Sequence, residues 1–234
     1  MERIDYIPGT DYKIIQNKTK FSFGIDSILL SSFANIREDL VVVDIGTGVG
    51  ILALRCHKLY KTKKVYAYEI QREIADMAKR SVALNRLENE IEVINVDINN
   101  IDRHEKVDCI ITNPPYMESG RGIENQDKSK LISLYEKKLK LEDIFVFSDK
   151  FLKNRGKLFM VIRSNRLIDM VEMARKYGIE PVRMRSVHSF SNTKSKLVLM
   201  EFVKSGGKNF VLESPLVIYE KPGLYTEEVK GFYE

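Results

Sequence analysis

The run VVVDIGTGVG at residues 41–50 constrains this chain more than any other stretch. Val41, Val42, Val43 and Ile45 are β-branched and apolar, with no alternation of polar residues. Such a run fits a strand buried on both faces, as in a parallel sheet. Gly46, Gly48 and Gly50 follow, and Ile51, Leu52 and Leu54 then open a helical pattern. Strand, glycine turn and helix start form the setting in which open α/β sheets receive nucleotide-like ligands. Glycine permits positive φ there and lets the backbone approach a ligand closely.

The spacing is G-x-G-x-G, and Ile51 stands where a dinucleotide fingerprint wants its third small residue. That fingerprint serves a pyrophosphate at a helix N-terminus. Here an acid, Asp44, ends the strand. A carboxylate facing the site repels a pyrophosphate and attracts an ammonium or sulfonium group, which favours S-adenosylmethionine over NAD. Taken alone, the glycines are weak evidence, because a tight turn that binds nothing can carry the same residues. A second acid sharpens the case. Residues 65–70 read as the next strand, and Glu69 lies roughly 20 residues beyond the glycines, where an acid in this topology accepts ribose hydroxyls.

The pattern continues as strand and helix in alternation. A helix is expected over 72–85, strands over 91–96 and 107–112, a helix over 141–152, a strand over 156–162 and a helix over 167–177 closed by Gly178. Two last strands, 182–188 and 197–203, follow without a helix between them. The fold expected is α/β: a Rossmann-like, doubly wound, mostly parallel seven-stranded sheet with one antiparallel strand. Residues 1–36 read as an N-terminal extension, with short strands around the Pro8-Gly9 turn and a helix over 25–33 that has Asp26 near its cap. Residues 37–204 form the main domain, and 205–234 a tail with a strand-like run at 216–219 and a short final helix. Asp44, Glu69, Asp97 and Asn113 all fall at the carboxyl ends of strands, where open α/β sheets bind ligands.

The composition excludes several classes. At 234 residues, 44% hydrophobic and 30% charged, the chain is that of an ordinary globular protein with a sizeable core. No apolar run approaches a membrane span and the first residues show no signal-peptide pattern, so a cytoplasmic protein is expected. Two cysteines in apolar segments read as buried thiols. Three scattered histidines make no ligand cluster, and no metal is expected. A net charge of +5 permits a polyanionic partner such as RNA without requiring one.

The second chemical signal is Asn113-Pro114-Pro115-Tyr116, directly after the buried run 109–111. Two prolines make a stiff loop whose carbonyls are free to accept. An exocyclic base amine is a poor nucleophile because its lone pair is delocalised into the ring. The Asn113 side-chain oxygen and the Pro114 carbonyl would bind its two hydrogens, draw the nitrogen toward tetrahedral geometry and aim the lone pair at a methyl donor. Tyr116 would stack on the ring. Catalysis of this kind comes from positioning and electrostatics, without a general base before transfer.

At these residues the sequence resembles class I S-adenosylmethionine-dependent methyltransferases: DIGTGVG is similar to their first motif, and NPPY to the fourth motif of the amino-methylating branch. YIPGTDYKIIQNKTKFSFGIDSILLSSFA, YEIQREIADMAKRSVALN, VHSF and the SPLVIYE…YTEEVKGFY tail extend the resemblance to the bacterial tRNA1(Val) adenine-37 N6-methyltransferase family. The resemblance implies that Asp44, Gly46 and Gly48, with Gly50 completing the turn, hold the methionine part of S-adenosylmethionine. Glu69 would take the ribose, Ile70 and Ile98 would flank the adenine, and Asp97 would bond its amino group. Phe21, Phe23 and Asp26 match the family's motif over the cofactor pocket. Asn113, Pro114 and Tyr116 would hold the target adenine in a tRNA anticodon loop, with the protein acting as a monomer. The chain departs from the family's pattern at Leu134-Tyr135-Glu136, Ile162-Arg163 and Ser195-Lys196, all flanking the expected RNA face.

A splayed anticodon base needs phosphate contacts around that mouth. The candidates carried forward are Lys18, Lys20, Lys130, Lys137, Lys138, Arg163, Arg166, Lys194 and Lys196, with Arg163 and Arg166 the best pair because they follow a strand at the site end of the sheet. Competing readings are methylation of another planar amine, in an rRNA base or a protein glutamine, and a non-catalytic RNA-binding protein. A nicotinamide oxidoreductase fits the glycine spacing least.

Overall fold

The computed structural model describes residues 1–17, 23–114 and 139–234. In chain order its elements are β1 (Glu2–Tyr6), β2 (Lys13–Asn17), α1 (Ile25–Phe33), β3 (Val41–Ile45), α2 (Ile51–Tyr60), β4 (Lys64–Glu69), α3 (Arg72–Leu84), β5 (Ile91–Asn95), β6 (Val107–Thr112), α4 (Leu141–Phe151), β7 (Leu152–Arg163), α5 (Leu167–Lys176), β8 (Ile179–His188) and β9 (Leu197–Lys204). The tail adds β10 (Val211–Leu212), β11 (Leu216–Val217), β12 (Tyr219–Lys221), β13 (Leu224–Tyr225) and α6 (Glu227–Gly231).

The central sheet runs β10-β8-β9-β7-β6-β3-β4-β5. Strands β3 to β7 pair in parallel, and β9 is antiparallel to both its neighbours, β7 and β8. The seven expected strands and the one antiparallel member are therefore present. The sheet has nine strands because β10 and β11 of the tail add in parallel to the outer edge of β8. Two-residue strands carry too little pattern to be read from a sequence.

Alternation along the buried strands splits the apolar residues between two cores. Val42, Val65, Ala67, Val93, Ile111 and Leu199 face α1, α2 and α3. Val43, Ile45, Tyr68, Ile110, Met160 and Met200 face α4 and α5. Both faces of the sheet are thus covered, which is why these strands read as continuous apolar runs.

Several boundaries moved. Strand β7 begins at Leu152, four residues before Gly156, because the chain passes straight from α4 into a strand whose pairing with β6 has an irregularity between Val107 and Cys109. Strand β8 starts at Ile179 and absorbs Pro181 at a register shift against β9, a position where a missing N–H is tolerated. The run at 216–219 is split between β11 and β12. Helix α1 matches its expected range, with Gly24 as its N-cap and Asp26 two residues beyond it in the first turn. Gly178 follows α5 with φ of +67°, the left-handed turn its residue type suggested.

Arg55 ties the two ends of the chain to the body. Its side chain is 1% exposed. The guanidinium donates to Ser31 Oγ (2.7 Å), Ser32 Oγ (3.1 Å), the Phe232 carbonyl (3.3 Å) and the Pro8 carbonyl. Its acceptors come from α1, from the turn after β1 and from the residue after α6. Burial pulls the Arg55 pKa down. Five donors in a fixed fork satisfy several carbonyls at once, which a lysine could not do.

Candidate functional site

Four adjacent strands, in the order β5-β4-β3-β6, end side by side, and their carboxyl ends carry Asp97, Glu69, Asp44 and Asn113. Neighbouring strands lie about 4.8 Å apart, so these residues form one row.

The glycine turn has the geometry its residues require. Gly46, Gly48 and Gly50 take φ of +69°, +58° and +93°, values that side chains strain against. The turn is laced to the sheet: Thr47 N donates to the Tyr68 carbonyl at 2.9 Å, and Gly48 N donates to Glu69 Oε2 at 3.1 Å. At Gly50 a Cβ would meet Ala78 of α3 only at an ordinary contact distance of 3.5 Å, so it is the positive φ, and not the packing of α2 on α3, that calls for glycine there.

Asp44 is wholly buried. One oxygen, Oδ2, accepts from Thr47 Oγ1 at 2.6 Å and from Ala53 N at 3.1 Å. The other, Oδ1, is buried with no partner among the described residues. Burial raises the pKa to about 7 against the two hydrogen bonds, and nearby Glu69 pushes it further up. A buried acid with an unused oxygen is costly unless a donor or a positive charge arrives. Glu69 is 4% exposed and its pKa is also raised by burial, while the N–H groups of Gln71 (2.9 Å) and Gly48 oppose the shift. Oε1 accepts from both the backbone N–H and the side-chain amide of Gln71, whereas Oε2 holds only the Gly48 amide and retains a second lone pair for a ligand hydroxyl.

Asp97 caps a short 3-10 turn, with Oδ1 accepting from Asn99 N at 2.9 Å. Ile70 is half-buried, whereas Ile98 is buried in the second core beside Tyr68. Phe23 is half-buried against the first core. Asn113 donates Nδ2 to Ser27 Oγ at 3.0 Å, and Pro114 is buried. Asp26, beside Ser27 on α1, has its pKa raised by burial and lowered by the positive charge of Arg163.

The expected basic residues divide. Arg163 is half-buried and faces Asp26 electrostatically. Arg166 is exposed, with Nε 3.3 Å from Asp169. Lys194 and Lys196 are exposed, and their loop is fastened to the end of β7: Ser164 N donates to the Lys196 carbonyl at 3.1 Å and Ser164 Oγ to the Ser195 carbonyl at 2.7 Å. The structure therefore brings Arg163, Arg166, Lys194 and Lys196 to one rim, beside the end of β6. Lys18, Lys20, Phe21, Tyr116, Lys130, Lys137 and Lys138, with the segment 134–136, lie outside the described residues.

Three residues escaped the sequence reading: Ser27, Thr47 and Arg55. Of these only Arg55 carried a signal, since it falls on the apolar stripe of α2, four residues after Ile51 and three after Leu52. Among the described residues no group of His, Cys, Asp and Glu could hold a metal, and no helix is long and apolar enough to cross a membrane.

Fold and site together define a Rossmann-like α/β protein with a row of polar residues at the strand ends. Comparison with known proteins makes the class specific. Residues 18–180 match the methyltransferase small domain, and the chain belongs to that family. A relative from Dyadobacter fermentans, named tRNA1(Val) (adenine(37)-N6)-methyltransferase, is 25% identical over 100% of this chain and 99% of its own, and several others share that name. Among solved structures, a predicted O-methyltransferase, protein Atu636 from Agrobacterium tumefaciens, superposes with a TM-score of 0.69 at 18% identity, covering 89% of this chain and 95% of that one. TYW2 from M. jannaschii in complex with AdoMet gives 0.59 at 19% identity, over 87% and 86%.

Proposed function

We propose that this protein methylates N6 of an adenine in tRNA, with S-adenosylmethionine as donor, and that the adenine is A37 of tRNA1(Val). The observation that carries the reading is the place of Asn113-Pro114. They end β6, the strand paired directly with β3 and its Asp44-glycine turn. A planar amine held at Asn113 would thus lie one strand away from a cofactor held at the turn. The names of relatives aligned over nearly their whole length support the choice of substrate.

The residues fit the cofactor. Asp44 offers a buried acceptor with an unused oxygen, Glu69 offers a carboxylate lone pair at Oε2, and Gly46 of the turn is partly exposed. When bound, S-adenosylmethionine supplies an electrophilic methyl group on a positively charged sulfur. Asp44 and the turn would hold its methionine end, Glu69 its ribose, and Asp97 with Ile70 and Ile98 its adenine. Asn113 Oδ1 and the Pro114 carbonyl accept the two N6 hydrogens and turn the nitrogen lone pair toward the methyl group. Tyr116 stacks on the target ring. Bound there, the cofactor would supply its methyl group to N6, and the amine proton, acidic only after transfer, would leave to solvent. Arg166, Lys194 and Lys196, and outside the described residues Lys18, Lys20, Lys130, Lys137 and Lys138, receive the anticodon-loop phosphates. In this reading 37–204 is the catalytic domain, with 1–36 and 205–234 as appendages that brace it, and the protein works as a monomer in the cytoplasm.

The test is mass spectrometry of nucleosides from unmodified tRNA incubated with protein and S-adenosylmethionine. N6-methyladenosine should form with the wild type and fall at least about a hundredfold with Asn113→Ala, the loss expected for an electrostatic contact made in the transition state. Confirmed cofactor binding without a methylated adenine overturns the substrate.

A further inference from the structure

Asn113 does not stand alone at the end of β6. Its Nδ2 donates to Ser27 Oγ across 86 residues of sequence, at 3.0 Å. Ser27 is 4% exposed, in the first turn of α1. The next residue back, Asp26, faces Arg163 at the end of β7, and β7 is the neighbour of β6. Ser27 therefore ties the first turn of α1 to the end of β6, and Asp26 beside it lies in the field of Arg163.

The helix itself is held from behind. Ser31 Oγ receives Arg55 Nε at 2.7 Å, and the Ser31 carbonyl receives Tyr60 Oη at 2.6 Å. The carbonyls of Ser27 and Ile28 accept from Ser31 Oγ at 2.8 and 2.9 Å. Ser27 thus sits on a turn whose backbone is fixed by a buried arginine.

A carboxamide is planar, with donor and acceptor at opposite ends. Once Nδ2 is pinned, the direction of Oδ1 is set as well. We infer that Ser27 is the positioning residue of the reaction: it holds the Asn113 amide with Oδ1 as the acceptor presented to the substrate amine. This rests on the reading of Asn113 given above. Ser27 does not touch the substrate. It acts by anchoring the Asn113 side chain at the end of β6, which is how a supporting hydrogen bond raises the precision of a site.

The test measures four quantities on wild type, Ser27→Ala and Ser27→Thr: kcat, KM for tRNA, the dissociation constant of S-adenosylmethionine and Tm. Alanine is a good helix former, so α1 should survive the first substitution. Loss of one orienting hydrogen bond should lower kcat about tenfold. KM, cofactor affinity and Tm should stay near wild type, and Ser27→Thr, which keeps the hydroxyl, should recover most of kcat. Unchanged kcat in Ser27→Ala overturns the inference. So does a fall in kcat matched by falls in cofactor affinity and Tm, which marks Ser27 as merely structural. If Ser27→Thr fails to fold, Ser27→Ala alone still decides between these outcomes. A wild-type protein that binds cofactor but methylates no exocyclic amine overturns the reading of Asn113 instead.

Discussion

The proposed cofactor row and the basic rim lie at the same end of one sheet and are built in opposite ways. Asp44 and Glu69 are buried acids whose ionised forms are disfavoured until something arrives to pair with them. Arg166, Lys194 and Lys196 are exposed and already solvated. The first region stores a demand for a positively charged ligand of fixed shape. The second offers charge to any polyanion that comes near. Selectivity is expected from the row, and reach and salt sensitivity from the rim.

Asp44→Asn should separate them most sharply. The amide keeps the shape and can still accept from Thr47 and Ala53, but it cannot carry the charge. S-adenosylmethionine should bind about a hundredfold more weakly in calorimetry, with tRNA binding unchanged. Equal cofactor affinity would mean that the row works by shape alone. Next in size is the rim. Arg166→Glu with Lys194→Glu should weaken tRNA binding about tenfold and flatten its dependence on salt, by the counterion release lost at each phosphate. Cofactor affinity should not move. Arg163 is kept out of this pair because its charge faces Asp26, so reversing it would disturb α1 and blur the comparison.

The smallest effect is on pH. Asp44 has its folded pKa raised from 3.8 to about 7. Its contribution to stability is therefore fully present below pH 3.8 and lost as pH rises through 7. In the ligand-free protein, Tm of Asp44→Asn relative to wild type should rise by a few degrees between pH 6 and pH 8, as about 1 kcal/mol of this penalty develops. Cofactor binding runs the other way, since a cation favours the carboxylate: affinity should be about tenfold lower at pH 6 than at pH 8. A flat difference in both would remove Asp44 from the comparison.

The acids were legible in the sequence because each ends its own strand, so the apolar run beside it announces its position. The glycine turn was legible for the same reason. Ser27 was not, because a serine within SILLSSF carries no periodic signal and its partner, Asn113, is fixed only once α1 lies across the end of β6. The rim was half legible. Strand ends placed Arg163 and Arg166 near the site, but only the packed helix shows that one faces an acid and the other faces solvent. The tail strands β10 and β11 were lost because their pairing with β8 is non-local and only two residues long.

Arg55 adds a constraint of a different kind, one of shared fastening. Its acceptors include the turn at Pro8 and the carbonyl of Phe232, which lie 224 residues apart in sequence, together with two serines of α1. Disturbing either flanking segment would leave every residue proposed for chemistry in place, yet remove one of the fastenings on the helix that carries Ser27.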